Sequence, residues 1–392
     1  MRHKAFVGGK IIDGTGAPPI EDGTVVVQEG KILSMGRSER VPMVADTEVI
    51  DAHGKTIMPG LIDAHMHVGF GFHALKRLRD CLNRGTTTVA AVTGGPEAVR
   101  LREAIEQGLV DRCPRYVVGC VVGATCGHLR RTDGHVAGVT ADGPWEVRKG
   151  VRAMVQEGAD FIKASASGGF QWLTERVEWE DYTLDELKAL AEEAHAKDKP
   201  VMVHAHSQPG INHSIQAGCD MIHHGAVIDE AGLEGIAARD LYYIPTLHIT
   251  SEEAHTNPSF GSWTRERMAH AHPIHRQGVR RAHGMGIRIG VGTDGGPGDN
   301  CHELMELVSC GLSAMEAIVA GTRNSAEALG ILEQTGTLQA GKDADIILVD
   351  GDPLADVSLL RQEERVVVVM RAGKVQVTDE QHRGHLHPRG EQ

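Results

Sequence analysis

Pro59-Gly-Leu-Ile-Asp-Ala-His65-Met-His67 opens as an apolar, strand-forming run and ends on two histidines. Alternate residues of a strand point to one side, so His65 and His67 would present both imidazoles together. Outward from this stretch the pattern is strand, loop, helix, repeated. Candidate strands fall at 61–67, 86–92, 115–123, 160–165, 200–206, 221–224, 242–247 and 287–293. Helical stretches lie between them, such as 184–197, where Thr183 and Glu186 form the Ser/Thr-x-x-Glu signature of a helix start. Strands alternating with helices imply a parallel sheet, and eight such units close naturally into an α/β fold of the TIM type, a (β/α)8 barrel. A doubly wound open sheet is the competing architecture, but no Gly-x-Gly-x-x-Gly turn follows an early strand.

The ends of the chain differ from the middle. Short β-prone runs broken by Gly and Asp fill both the first 60 residues and the last 60. The economical expectation is one small composite β-sandwich built from 1–60 and 335–392, with a catalytic barrel, 61–334, inserted between the halves.

Composition narrows the function. The 40 Lys and Arg stand against 53 Asp and Glu, a formal charge of −13 with His neutral, which argues against a nucleic-acid partner. Apolar runs such as 366–370 are far shorter than the roughly 18 residues of a membrane span, and no signal-like apolar segment follows Met1. The expectation is a cytoplasmic protein acting on a small-molecule substrate, without membrane or nucleic acid. Seven cysteines without a Cys-x-x-Cys pair suggest neither a disulfide framework nor a thiolate zinc site, and read as buried thiols. The polar tail holds His382, His385 and His387, read as solvated.

Where the histidines fall is more informative than their number. His65 and His67 end the first candidate strand, His204 lies near the end of the fifth, His224 ends the sixth, and Asp294 follows the eighth. A barrel keeps its chemistry at the C-terminal mouth, so four imidazoles and a carboxylate would meet there. That set suits a borderline divalent cation, zinc first, with manganese, cobalt or iron as alternatives. Lys163 closes the apolar strand of Ala159-Asp-Phe-Ile-Lys163 and opens Ala164-Ser-Ala-Ser-Gly168-Gly169. An inward ammonium beside metal cations would be repelled. Burial lowers a lysine pKa, and the neutral amine can add CO2 to give an anionic carbamate whose two oxygens could bridge two metals.

In these motifs, together with His224-Gly, Gly292-Thr-Asp294 and the closing Gly341-Lys-Asp-Ala-Asp-Ile-Ile-Leu-Val-Asp-Gly-Asp-Pro-Leu, the chain resembles the amidohydrolase superfamily over nearly its whole length. It is most similar to the imidazolonepropionase-related group that includes metal-dependent prolidases and Xaa-Arg carboxypeptidases. The resemblance implies a binuclear site: His65, His67 and Asp294 on one metal, His204 and His224 on the other, with carboxylated Lys163 bridging. It also implies a homo-oligomer. Two departures are visible. The mononuclear deaminases of the superfamily place a Glu shortly after the histidine of the fifth strand, where this chain reads His204-Ala-His206-Ser-Gln-Pro, so deamination is disfavoured. His223 precedes His224, where relatives often carry Glu.

The chemistry so implied is metal-assisted attack of water on a carbonyl, with Asp294 carrying the proton to the leaving amine. Relatives with a Gly-His after the third strand use it at the substrate carbonyl or carboxylate, which makes His128 the second catalytic candidate. His206, two residues beyond His204, shares its side and could touch substrate. Gly168 and Gly169 would let backbone approach a ligand, or simply make a turn. Phe70, Phe72, Phe170 and Trp172 suggest an apolar wall, and Arg130 and Arg131 a fork for a substrate carboxylate. The expected activity is hydrolysis of an amide in a dipeptide or N-acyl amino acid. A cyclic amide, carbamate or urea is the alternative, then a deaminase, and a ligand-binding barrel that has lost catalysis is the alternative outside enzymology.

Overall fold

The computed structural model of the chain describes residues 3–130, 138–295 and 299–378. Its middle is a curled, all-parallel sheet whose strands lie side by side in chain order. They are β1 (Leu61–Met66), β2 (Thr86–Gly94), β3 (Arg115–Gly123), β4 (Phe161–Ser165), β5 (Val201–Ala205), β6 (Met221–His224), β7 (Tyr242–Ile244) and β8 (Arg288–Ile289). Helices connect them, beginning with Gly71–Asn83, Pro96–Glu106 and Gly143–Gln156. Leu184–His195 starts where the sequence says it should: Thr183 and Glu186 each bond the other's backbone N–H.

Side-chain alternation divides the core. Leu61, Val89, Ile162, Val201, Val203 and Ile222 face outward onto helix residues such as Leu78, Val151, Leu190 and Ile236. Ile62, Ala64, Val92, Phe161, Met202, Met221 and Ile244 pack together on the other face. Because both faces are covered, β4, β5 and β6 are buried throughout, as parallel strands generally are. The same alternation carries Phe161 to Lys163, Met202 to His204 and Met221 to His223, so chemistry sits on the inner face, above apolar packing.

The segment that follows β8 bonds to β1. Ala64 donates to Val291 O at 2.9 Å, and Thr293 and Asp294 donate to His65 O at 3.1 and 2.8 Å. Gly292 permits this approach: a Cβ there would stand 2.5 Å from the His65 Cβ. Asp63 completes the seam, accepting from the backbone of His65 and from both the N–H and hydroxyl of Thr293.

Both ends of the chain contribute to a second, eight-stranded sheet. Ile346–Asp350 pairs antiparallel with Lys55–Pro59, joining the two termini strand to strand. One apolar cluster draws on both, including Phe6, Val25, Ile57, Ile346 and Met370. No helix among the described residues is long and apolar enough to cross a membrane. None of the seven cysteines forms a disulfide among the described residues; six are buried and Cys126 is exposed. Arg131 and the tail histidines His382, His385 and His387 lie outside the described residues.

Candidate active site

The C-terminal ends of these strands surround a cavity of about 840 Å³. His65, on β1, is buried, whereas His67 lies one residue past the strand with its side chain 42% exposed. Both nonetheless reach one atom, Asp294 Oδ1, from Nε2 at 3.1 and 2.8 Å. Asp294 has a left-handed backbone (φ 54), as do His224 (φ 74) and Thr246 (φ 52). Aspartate tolerates this region, but for a β-branched threonine it is a strained conformation of the kind that gathers at functional sites. At His224 it has a clear effect: strict alternation would turn this ring away from His223's side, and the turn of backbone brings it back.

His224 then meets two groups. Its ligand atoms lie within 4.8 Å of those of His65 and Asp294, and also within 4.8 Å of those of His204 and His206. The Thr246 hydroxyl gives its hydrogen to Pro245 O at 2.6 Å, so toward His224 Nδ1, 2.8 Å away, it can only accept. His224 therefore carries its proton on Nδ1 and leaves Nε2 as a lone pair, buried and without a hydrogen-bond partner. Histidines that bind metal are commonly fixed through the other ring nitrogen in this way.

Burial, reinforced by neighbouring imidazoles and Lys163, lowers the pKa of His204 and His224 well below the ordinary value, and burial first of all takes His65 down to about 3. These rings are neutral, the form that ligates. Burial opposes ionisation of Asp294, yet His65 and His67 outweigh it and hold the carboxyl well below the usual range. Lys163 is 1% exposed, its Nζ has no hydrogen-bond partner, and burial lowers its pKa to about 7. A buried, partnerless amine beside neutral imidazoles and an ionised carboxylate fits a divalent cation with nitrogen and oxygen preference.

The substrate-side residues divide. His128 and His206 line the cavity. His128 stacks on His204 with centroids 4.1 Å apart, and His206 packs edge-on to Phe170 at 4.6 Å. Gly168 and Gly169 are close-approach positions: a Cβ would stand 2.2 Å from Arg176 O at Gly168 and 2.5 Å from the His128 ring at Gly169. Neither glycine lines the cavity. Phe70 and Phe170 line it together with Leu129, Ile249, Phe260 and Met268. Phe72 does not, being 89% exposed on its helix and bordering a smaller neighbouring cleft, and neither does Trp172. Arg130 falls in a short turn, His128–Arg130. Among the described residues the lining guanidinium is Arg77, from the first helix, which donates to His67 O at 2.5 Å.

Sequence reading missed Arg77, Asp63, Thr246 and Glu175. The last is buried and bonds His128 Nδ1 at 2.9 Å. A lone Thr or Glu in a loop carries no periodic signal. His223, noted as a departure, lies under the site with its Nδ1 2.6 Å from that of His65.

The family model for amidohydrolases matches residues 56–376, most of the chain. The chain belongs to the amidohydrolase family. It is therefore a hydrolase acting on carbon–nitrogen bonds. Among curated relatives it is 27% identical to the ochratoxinase of Aspergillus niger over 414 residues, covering 94% of this chain and 85% of that protein. Among solved structures it resembles a Xaa-Pro dipeptidase with methionine bound in its active site, at 28% identity and a TM-score of 0.86, covering 95% of this chain and 99% of the other. A prolidase complexed with N-methylphosphonate-L-proline is similar at 27% identity and a TM-score of 0.85, with the same coverage.

Proposed function

We propose that this amidohydrolase is a binuclear metal-dependent enzyme that cleaves the amide of a dipeptide or N-acyl amino acid. The observation that carries the reading is the sharing of His224 between two groups of ligand atoms, beside a buried amine with no partner. In this assignment His65, His67 and Asp294 would hold one ion and His204 and His224 the other, and Lys163 would serve both as its carbamate. Zinc is the first choice of metal, then manganese, cobalt or iron. When bound, such ions polarise the amide carbonyl and lower the pKa of water toward about 7.

The chain's own residues do the rest. Asp294, ionised and partly exposed, accepts the proton of the attacking water and hands it to the departing amine. His128 and His206 face the substrate, and Phe70, Phe170 and Met268 exclude water from one side of it. Arg77 has no carboxylate partner among the described residues, whereas Glu253, which also lines the cavity, is paired with Arg361 at 2.7 Å. A guanidinium without an ion pair at the cavity suits a substrate with a carboxylate, as dipeptides and N-acyl amino acids have. The prolidase and dipeptidase likeness supports the same class.

The finer architecture belongs to the same reading. The bonds between β1 and the segment after β8 support a closed (β/α)8 barrel over 61–334. Bonds from Ile32 and Gly30 to 341–344 support a β-sandwich made of 1–60 and 335–392. A homo-oligomer is proposed from resemblance alone.

The test is a panel of dipeptides, N-acyl amino acids, cyclic amides and carbamates offered to zinc-loaded protein. Turnover of the first two classes is expected. Turnover confined to cyclic amides or carbamates would replace the proposal with that alternative.

A further inference from the structure

We propose that Glu175 is a positioning residue that acts through His128, fixing its ring so that Nε2 is turned to the substrate oxygen. Only the identity of that oxygen rests on the amide-hydrolase reading. Glu175 is 1% exposed. Its Oε1 lies 2.9 Å from His128 Nδ1, and its Oε2 has no hydrogen-bond partner. Burying a carboxylate with so few partners is unfavourable unless something compensates it, and the described residues offer one imidazole. In this pairing the carboxylate accepts and His128 Nδ1 carries the hydrogen.

The rest of the ring is equally constrained. Backbone N–H of His128 donates to Asp181 Oδ2 at 2.8 Å, and that same oxygen accepts from the Ser165 hydroxyl at 2.6 Å. One ring face lies against His204, with 15° between the planes. Gly169 presses close from another direction, where a Cβ would be 2.7 Å from Nδ1. Gly168, whose own Cβ would lie 3.0 Å from Glu175 Cγ, lets the loop fold back and deliver the acid. With Nδ1 committed to Glu175, Nε2 is the ring atom left for substrate, and His128 lines the cavity. The pair thus explains why two glycines follow β4: they make room for a carboxylate behind a histidine.

The test is a double-mutant cycle on Glu175→Ala, His128→Gln and the double variant, with Glu175→Gln as the conservative change. The substrate is whichever amide of the panel turns over fastest, and metal content and thermal melts are measured alongside. Glu175→Ala is expected to lower kcat about 10²-fold with KM changed less than about threefold. Glu175→Gln, which keeps an acceptor, is expected to recover about tenfold of that loss. The double variant should be no slower than His128→Gln alone. Effects that multiply, or a kcat loss that merely follows lost metal or melting temperature, would overturn the proposal. A second readout is independent of turnover: in 15N-histidine-labelled protein, the Nδ1–H signal that disappears in His128→Gln should also be lost or exchange rapidly in Glu175→Ala. Its persistence unchanged would refute the role of Glu175, and a panel without turnover would refute the amide reading while leaving this spectrum decisive.

Discussion

Asp294 holds Nε2 of both His65 and His67 within 3.1 Å of one oxygen, from a left-handed backbone that few residues would adopt. Asparagine keeps the shape and one ligating oxygen but cannot carry a proton. Asp294→Asn is therefore expected to lower kcat roughly 10²–10⁴-fold while the metal stays bound, checked by steady-state kinetics alongside metal analysis. Activity surviving within tenfold would remove the proton-carrying role. Arg77 gives a second expectation. Arg77→Met should raise KM for an N-acyl amino acid by roughly tenfold or more and leave KM for its primary amide unchanged, since the amide offers no charge to a guanidinium. Equal effects on acid and amide would mean that Arg77 does not bind the carboxylate. At this scale the strand-end histidines were legible because alternation is a property of the backbone and needs no tertiary knowledge. His224 shows where that stops: its ring reaches the site through a positive φ that no pattern of neighbours announces. Arg77 and Glu175 were illegible for another reason, since each matters only through a contact made across the fold.

Among the elements, the helix Asp299–Ser309 supports the site from behind through Glu303, which is fully buried. Its carboxylate accepts from Leu247 N–H at 2.7 Å and His248 N–H at 2.8 Å, pinning the turn Leu247–Thr250 that follows β7 and lines the cavity with His248 and Ile249. Burial pushes this carboxyl up to about 8, with Glu306 and Asp63 adding repulsion and the two backbone bonds opposing it. Unfolded, the group would ionise near 4.5. Between those values the folded chain holds a proton that the unfolded chain has released, so this contribution to stability is full below about 4.5 and is lost as pH rises through 8. Glu303→Gln removes the titration, and the gap in melting temperature between pH 5.5 and 8.5 should shrink by several degrees relative to the parent. An unchanged gap would show that Glu303 does not titrate there. Element boundaries were the less legible part. The first strand stops at Met66 rather than at His67, and the eighth is only Arg288–Ile289, because 291–294 bond to β1 as an irregular seam stitched by Asp63. Helix starts fared better, since Thr183 and Glu186 form a cap from local residues alone.

For the molecule as a whole, the parallel sheet and the shared terminal sheet were legible from texture: alternation of strands and helices in the middle, Gly-punctuated β runs at both ends. The pairing of Ile346–Asp350 with Lys55–Pro59 gives that texture its physical form. Neutral imidazoles, an unpartnered amine and an ionised acid crowded at one mouth are a poor arrangement without cations, so binding should stabilise the folded chain. Chelation is expected to lower the melting temperature by about 5 °C or more, and zinc to restore it. A melt indifferent to chelator, with metal shown to be gone, would argue that the cluster is held by the fold alone. The most direct measurement is anomalous diffraction from crystals grown with zinc and bicarbonate. Two peaks are expected, one contacted by His65, His67 and Asp294 and the other by His204 and His224, with Lys163 density extended into a carbamate between them. A single peak on His204, His206 and His224 beside an unextended amine would contradict the binuclear assignment.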